Sequence, residues 1–290
     1  MKYRVTHTTT YAYARPVDLA SHMLHLSPRS FPGQRVLWSD LVADPAPSRS
    51  NEAPDHFGNH VAWMFLDRRH GRFTVTVTAE VEVAFAPPPP KQDTLPWEEV
   101  AALAAAGGKG AWEAAEFVFD SPMIPPEPGA GAYAAPCFTP GRPILEALLE
   151  LNSRIRREFS FKAGVTNVST PVSRTLSQRA GVCQDFTHLM IAALRAHGLP
   201  ARYVSGYLRT KPLAGAPARR GADQSHAWVG AWMGPEHGWV DLDPTNDLVV
   251  HDEHVVLGWG RDYGDISPVR GVILGGGRHS VTVGVDLEAL

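Results

Sequence analysis

The chain has 290 residues, enough for two domains of ordinary size and a sizeable buried core. Hydrophobic residues make up 44% and charged residues 20%, a balance that excludes a chain disordered throughout. With 27 basic and 30 acidic residues the formal net charge is -3, against the basic excess expected of a nucleic-acid binder. No run of about 18 apolar residues is present, so no membrane-spanning helix is expected. The opening residues Met1 to His7 are polar and strand-like, without the apolar centre of a secretory signal. The cysteines are Cys137 and Cys183, which make no disulfide framework and suit a reducing cytoplasm.

Residues 1–85 read as β-structure. Phe73, Val75, Val77, Ala79, Val81, Val83 and Phe85 alternate with Thr74, Thr76, Thr78, Glu80 and Glu82, the pattern of a long half-buried strand. Val61 to Leu66 is a second apolar run, and Asp67 to Gly71 between them reads as a hairpin loop. Tyr3, Val5, Tyr11 and Tyr13 indicate one or two N-terminal strands, and Val36 to Val42 a further short one. Together these predict a small antiparallel sandwich or barrel.

Residues 86–143 hold twelve of the 25 prolines, including Pro87 to Pro90, and read as an inter-domain connector over the surface. Short helices are expected near Trp97 to Ala106 and Ala111 to Phe119. From residue 144 to 290 the pattern is mixed, making the fold class α+β. Ile144, Leu145, Leu148, Leu149 and Leu151 share one helical face. Cys183 to Ala196 carries the clearest helical period and stops at Gly198-Leu199-Pro200. Strands are predicted at Ala201 to Leu208, His226 to Met233 and Trp239 to Leu242, with Lys211 to Gly221 a loop between the first two. Val269 to Leu274 and His279 to Leu287 read as a closing strand pair about Gly275-Gly276-Gly277.

The chemistry gathers in this last part. In Gly181-Val182-Cys183-Gln184-Asp185 the thiol opens a helix, where unpaired backbone N–H groups and the positive dipole end favour a thiolate and can stabilise an oxyanion. Cys137, between Pro136 and Phe138, has no such setting. A thiol nucleophile needs a base, and the base an orienting group. His226 starts an apolar strand, and Asp241 and Asp243 close another while sharing one of its faces. Alternation alone does not choose between the two aspartates.

Taken in order, Gly181-x-Cys183-x-Asp185, then Arg195 through Pro200-Ala201-Arg202-Tyr203-Val204-Ser205-Gly206-Tyr207, His226-Ala227-Trp228, and Gly238-Trp239-Val240-x-Leu242-Asp243-Pro244-Thr245 resemble the transglutaminase-like family. That resemblance implies a papain-like core with Cys, His and Asp in this chain order. Thr10-Tyr11-Ala12-Tyr13 and Asp55 to Asn59 are similar to the β-domain that precedes the core in the bacterial branch, and Gly260 to Pro268 to its C-terminal segment. The resemblance assigns Cys183 as nucleophile, His226 as general base and acid, and Asp243, directly before Pro-Thr, as the orienting carboxylate. A papain-like second oxyanion donor would be Gln178, near the family's spacing, or Gln184. Trp228, Tyr207, Asp262 and Tyr263 are expected to serve substrate binding, with residues 261–263 at the cleft rim.

His188 lies roughly 140° round the helix from Cys183, which sets it apart from the thiol. His22, His25, His56 and His60 show no metal-ligand spacing, and Gly275 to Gly277 precedes no helix, so neither a metal nor a cofactor is expected. The expected activity is that of a cysteine enzyme on amide or peptide bonds of a peptide or protein, with water or an amine resolving the acyl-enzyme. The alternative is a non-catalytic module that keeps the fold and holds a peptide in its cleft.

Overall fold

A computed structural model of the protein describes residues 1–108, 110–209 and 224–290. The loop expected at 211–221 lies outside them. Strands β1 (Lys2–Leu24), β2 (Gln34–Asp44), β3 (Arg49–Pro54), β4 (His60–Leu66) and β5 (His70–Val83) form an antiparallel sheet in the order β2-β5-β1-β4-β3. The alternation read in β5 is its burial pattern, with Phe73, Val75, Val77, Ala79, Val81 and Val83 all inward. β1 is long enough to serve two partners on one side. Lys2 to Ala12 pairs with β5, and beyond an irregularity Ala20 to Leu24 pairs with β4. The sheet therefore curls into a half-barrel.

The chain then runs through α1 (Trp97–Ala106), α2 (Trp112–Ala115), α3 (Pro128–Ala134) and α4 (Ile144–Glu158). The second helix expected here is found only in part, as α2 and a 3-10 turn at Glu116–Val118. The connector is also more than a surface wrap: Val100, Ile124, Ala130, Tyr133 and Cys137 belong to the largest core cluster. Its prolines prevent regular pairing but leave the apolar residues between them free to be buried.

A short parallel pair, β6 (Ser160–Phe161) and β7 (Ala180–Gly181), brackets α5 (Val172–Gln178), and α6 spans Cys183–Arg195. Strands β8 (Ala201–Leu208), β9 (Gln224–Trp232), β10 (Trp239–Asp243), β11 (Leu248–Val249) and β12 (His254–Gly260) make a second antiparallel sheet, ordered β11-β10-β9-β8-β12. One face, with Ala227, Val229, Ala231 and Leu242, shares a core with α6. Tyr207, Val255 and Leu257 pack instead against Tyr3, Val5, Val81 and Val83 of the half-barrel.

The closing strands β13 (Val269–Gly275) and β14 (His279–Ala289) correct the expected boundary of the core at residue 290. Both lie antiparallel along β1, Val269 opposite Leu24 and then Ala289 opposite Tyr3. They form one course interrupted by Gly275–Gly277, in place of the expected pair about a turn. The three glycines have φ of 98°, 77° and 64°, and a Cβ at Gly275 would sit 2.7 Å from the Pro16 carbonyl oxygen. They kink the strand without reversing it. Among the described residues no helix is long and apolar enough to cross a membrane.

Candidate active site

Cys183 is half-buried at the first turn of α6, and the residues around it explain the motif. Asp185 reaches back so that its Oδ2 accepts the N–H of Val182 at 2.7 Å and the hydroxyl of Thr166 at 2.6 Å. This caps the helix in the manner of an N3 acid. A Cβ on Gly181 would lie 2.7 Å from that of Asp185, so glycine is required there. The helix start is thus fixed by Gly181 and Asp185, and the thiol is presented beside it.

His226 is 6% exposed and Asp243 fully buried; His226 Nε2 lies 2.8 Å from Asp243 Oδ2, and the Cys183 thiol is near enough to His226 to act on its charge. Burial opposes a charged imidazole. The hydrogen bond to Asp243 and the nearby Cys183 outweigh it and raise the His226 pKa well above its ordinary value. Burial also opposes charge on Asp243, but His226, His254 and Asn246 hold its carboxyl well below the usual carboxylate range. The carboxylate thus holds the imidazole, and the thiol acts on the same imidazole, the arrangement a thiol nucleophile needs.

The other aspartate is separated from this chain of bonds. Asp241 accepts the indole N–H of Trp228 at 3.0 Å and lies 3.6 Å from Arg202. Of the two acids that alternation left open, the geometry pairs Asp243 with the histidine.

Family models match the chain twice: the bacterial transglutaminase-like N-terminal region at residues 3–82, and the transglutaminase-like superfamily at residues 132–244. An uncharacterized protein of Mycobacterium tuberculosis is 41% identical over 297 residues, covering 99% of this chain and 92% of that one. The chain belongs to the bacterial transglutaminase-like family. A solved structure from Cytophaga hutchinsonii, described as a candidate cysteine protease, superposes with a TM-score of 0.79 at 23% identity, covering 100% of this chain and 91% of that one. It has the same fold. A protein-glutamine gamma-glutamyltransferase of Pseudomonas aeruginosa is 33% identical over 104 residues, 35% of this chain and 15% of that one.

Some residues of this transglutaminase-like site lie where the sequence did not put them. Trp228, expected both to serve substrate binding and to be largely buried beside the triad, is fully buried, with its ring centre 6.2 Å from that of His226. It backs the histidine and cannot touch a ligand. A Cβ at Gly206 would fall 2.3 Å from its ring, so that glycine makes room for it. Tyr207 is also fully buried between the sheets, its hydroxyl 3.0 Å from His7 Nδ1. Its strand continues past α6 onto the half-barrel, which takes it away from the cleft. Asp262, expected at the rim, is buried and accepts the N–H groups of Met123 and Gly264. Tyr263 is half-buried; its N–H meets His188 Nε2 at 3.2 Å and its ring packs on Tyr203. The 261–263 segment is thus strapped to α6, and Arg261 is spent on Asp265.

Neither glutamine is aimed at the thiol by any contact. Gln178 is exposed at the end of α5, and the Gln184 amide donates to the Val168 carbonyl at 3.0 Å. Two residues escaped sequence reasoning. Asn246 Nδ2 donates to Asp243 Oδ2 at 2.7 Å, while the N–H groups of Thr245 and Asn246 bond Oδ1. His254, fully buried, has Nε2 3.6 Å from Asp243 Oδ2. The Asp-Pro-Thr-Asn run signals a strand-end turn that could have suggested Asn246. His254 carries no such signal, because it arrives from β12.

Among the described residues no group of three or more His, Cys, Asp or Glu is arranged to hold a metal. His25, His56 and His60 each lie against an acid, Asp55, Glu116 and Glu52, and His22 stacks on Phe73.

Proposed function

We propose that the protein is a cysteine-nucleophile enzyme acting on amide or peptide bonds of a peptide or protein through an acyl-enzyme. One observation carries this reading: a buried imidazole bonded to Asp243, with the thiol of Cys183 near enough to favour its charged form. His226 takes the thiol proton and the sulfur attacks the carbonyl carbon. The oxyanion forms beside the backbone N–H of Cys183 at the start of α6. Collapse expels the amine, which leaves with the proton from His226, and a thioester remains. Water or a second amine then gives a proton to His226 and attacks the thioester, restoring the thiol.

Water yields hydrolysis and an amine yields acyl transfer; the acceptor enters after the shared acylation step. Likeness to both a candidate protease and a gamma-glutamyltransferase supports the common step. Mass spectrometry of glutamine-containing peptides, with and without an added primary amine, separates the two products. Turnover should vanish in Cys183→Ala. A thiol-selective probe that leaves Cys183 unmodified at neutral pH, with no turnover of any peptide, would instead favour a non-catalytic peptide-binding module.

A further inference from the structure

The half-barrel, the connector and the second sheet enclose a cavity of about 1060 Å³, and none of Cys183, His226 and Asp243 lines it. Its walls are aromatic and proline-rich, with Phe31, Phe57, Phe85, Phe117, Trp112 and Pro87 among them. That volume and lining are those of a small-molecule site.

One wall is a cationic stack. Arg29 Cζ lies 3.4 Å from the centre of the Trp259 ring, and Arg202 Cζ lies 3.8 Å from the same centre. Two guanidinium carbons cannot share one ring face at those distances, so Trp259 is held between them. Arg202 also lies 4.3 Å from the centre of Trp239. With ring faces occupied, only the N–H edges of the guanidinium groups remain for hydrogen bonding.

Those edges are incompletely used. Arg29 spends Nη1 on the Phe57 carbonyl and on Asn59 Oδ1, and its Nε is buried without a partner. Arg202 is only 7% exposed, and its Nε is likewise buried and unpartnered. The Asp241 carboxylate stands 3.6 Å from Arg202, beyond good hydrogen-bond length, and its other oxygen is committed to Trp228. Burial lowers both arginines to about 10, and their mutual repulsion adds to this at Arg29. Buried N–H donors of a charged group are costly when unpaired. The two Nε are closed off from the cavity, but both side chains line it, and Arg29 Nη2 and the Arg202 Nη groups donate no hydrogen bond among the described residues.

We propose that this cavity is a ligand site, distinct from the triad, for a small organic carboxylate with a flat aromatic body. The carboxylate meets the terminal Nη N–H groups left free on Arg29 and Arg202, and the body packs on the phenyl, indole and proline walls. Glu113, Glu116 and Asp241 also line the cavity and disfavour a second negative charge, which selects a monoanion over a phosphate ester.

The test is calorimetric titration of the full chain with 1-naphthaleneacetate and with its neutral isostere 1-naphthaleneacetamide. The acid should bind one saturable site at least about tenfold more tightly than the amide. Arg202→Gln should weaken the acid by about tenfold and leave the amide unchanged. Ala86→Trp, on the cavity wall contributed by the connector, should weaken both. Circular dichroism checks that each variant is folded, and Arg29→Gln gives the same reading should Arg202→Gln not fold. Equal affinity for acid and amide overturns the proposal. So does absence of saturable binding, or acid binding that neither arginine variant weakens.

Discussion

Strand β10 carries two carboxylates on one face, two residues apart, yet they hold different things. At the triad end Asp243 is fully buried and accepts from His226, from the Asn246 amide and from the backbone of Thr245 and Asn246. At the middle of the strand Asp241 accepts the Trp228 indole and stands off from Arg202. The neighbouring strand makes the difference. Asp241 faces Gly230, where a Cβ would fall 2.6 Å from Arg202 Nε, so the missing side chain admits an arginine. Asp243 lies beyond the last registered pair of β9 and β10, where the chain turns and supplies N–H donors. A strand position fixes which way a carboxylate points; what stands opposite fixes its work.

Exchanging each acid for its amide should break the two sites differently. Asp243→Asn removes the charge that orients and stabilises the imidazolium, and kcat/KM should fall by roughly 10²–10⁴ in protein that circular dichroism shows to be folded. Asp241→Asn should change kcat/KM far less but lower stability by about 3 kcal/mol in urea melts, because Arg202 keeps a buried charge without its counter-charge. Equal loss of activity in both variants would show that the two acids share one function.

Acid should also discriminate between the triad end and the remainder of the molecule. The folded pKa of Asp243 is depressed, so its stabilising share is full above about pH 4 and is lost only as pH falls toward the folded value. That of His226 is raised, so its share is full below about pH 6.5 and lost as pH rises. Burial lowers His7, His22 and His188 to about 4, His22 with help from His70. These three must stay neutral in the folded state while the unfolded chain takes up protons below about pH 6.5. Each should cost about 1 kcal/mol of stability at pH 5.5. Urea melts at pH 7 and 5.5 should therefore show a loss before Asp243 titrates. His22→Phe, which keeps a flat ring against Phe73, should recover about one third of it.

Much of this was legible in the sequence. The helix beginning at Cys183, the strand from Ala201 to Leu208 and the alternation of β5 stand as their periods predicted, because each buries one face against its own neighbourhood. What a period cannot say is which distant element covers a face. Tyr207 alternates correctly along β8, but the half-barrel that buries it is some 200 residues away in sequence. The same holds for β13 and β14, whose partner is the first strand of the chain. Arg261 to Tyr263 read as a free loop because glycines flank it, whereas Asp262 and His188 tie it down through bonds to Met123 and Tyr263.

The smallest effect expected belongs to Asn246, and it measures how rigidly the triad end is built. Its amide donates to Asp243 Oδ2, the same oxygen that His226 uses, and lies 3.4 Å from His226 Nε2. Asn246→Ala removes that donor but leaves both backbone N–H groups on Oδ1, so Asp243 stays in place. One hydrogen bond lost among several is worth about 1–2 kcal/mol, and kcat/KM should fall by about tenfold or less, in kcat and not in KM. The pH dependence of kcat should shift as well, because the carboxylate facing His226 loses a competing donor. A loss as large as that of Asp243→Asn would mean that the amide, and not the backbone turn, holds the carboxylate toward His226. No change in rate or pH profile would mean that the turn alone suffices.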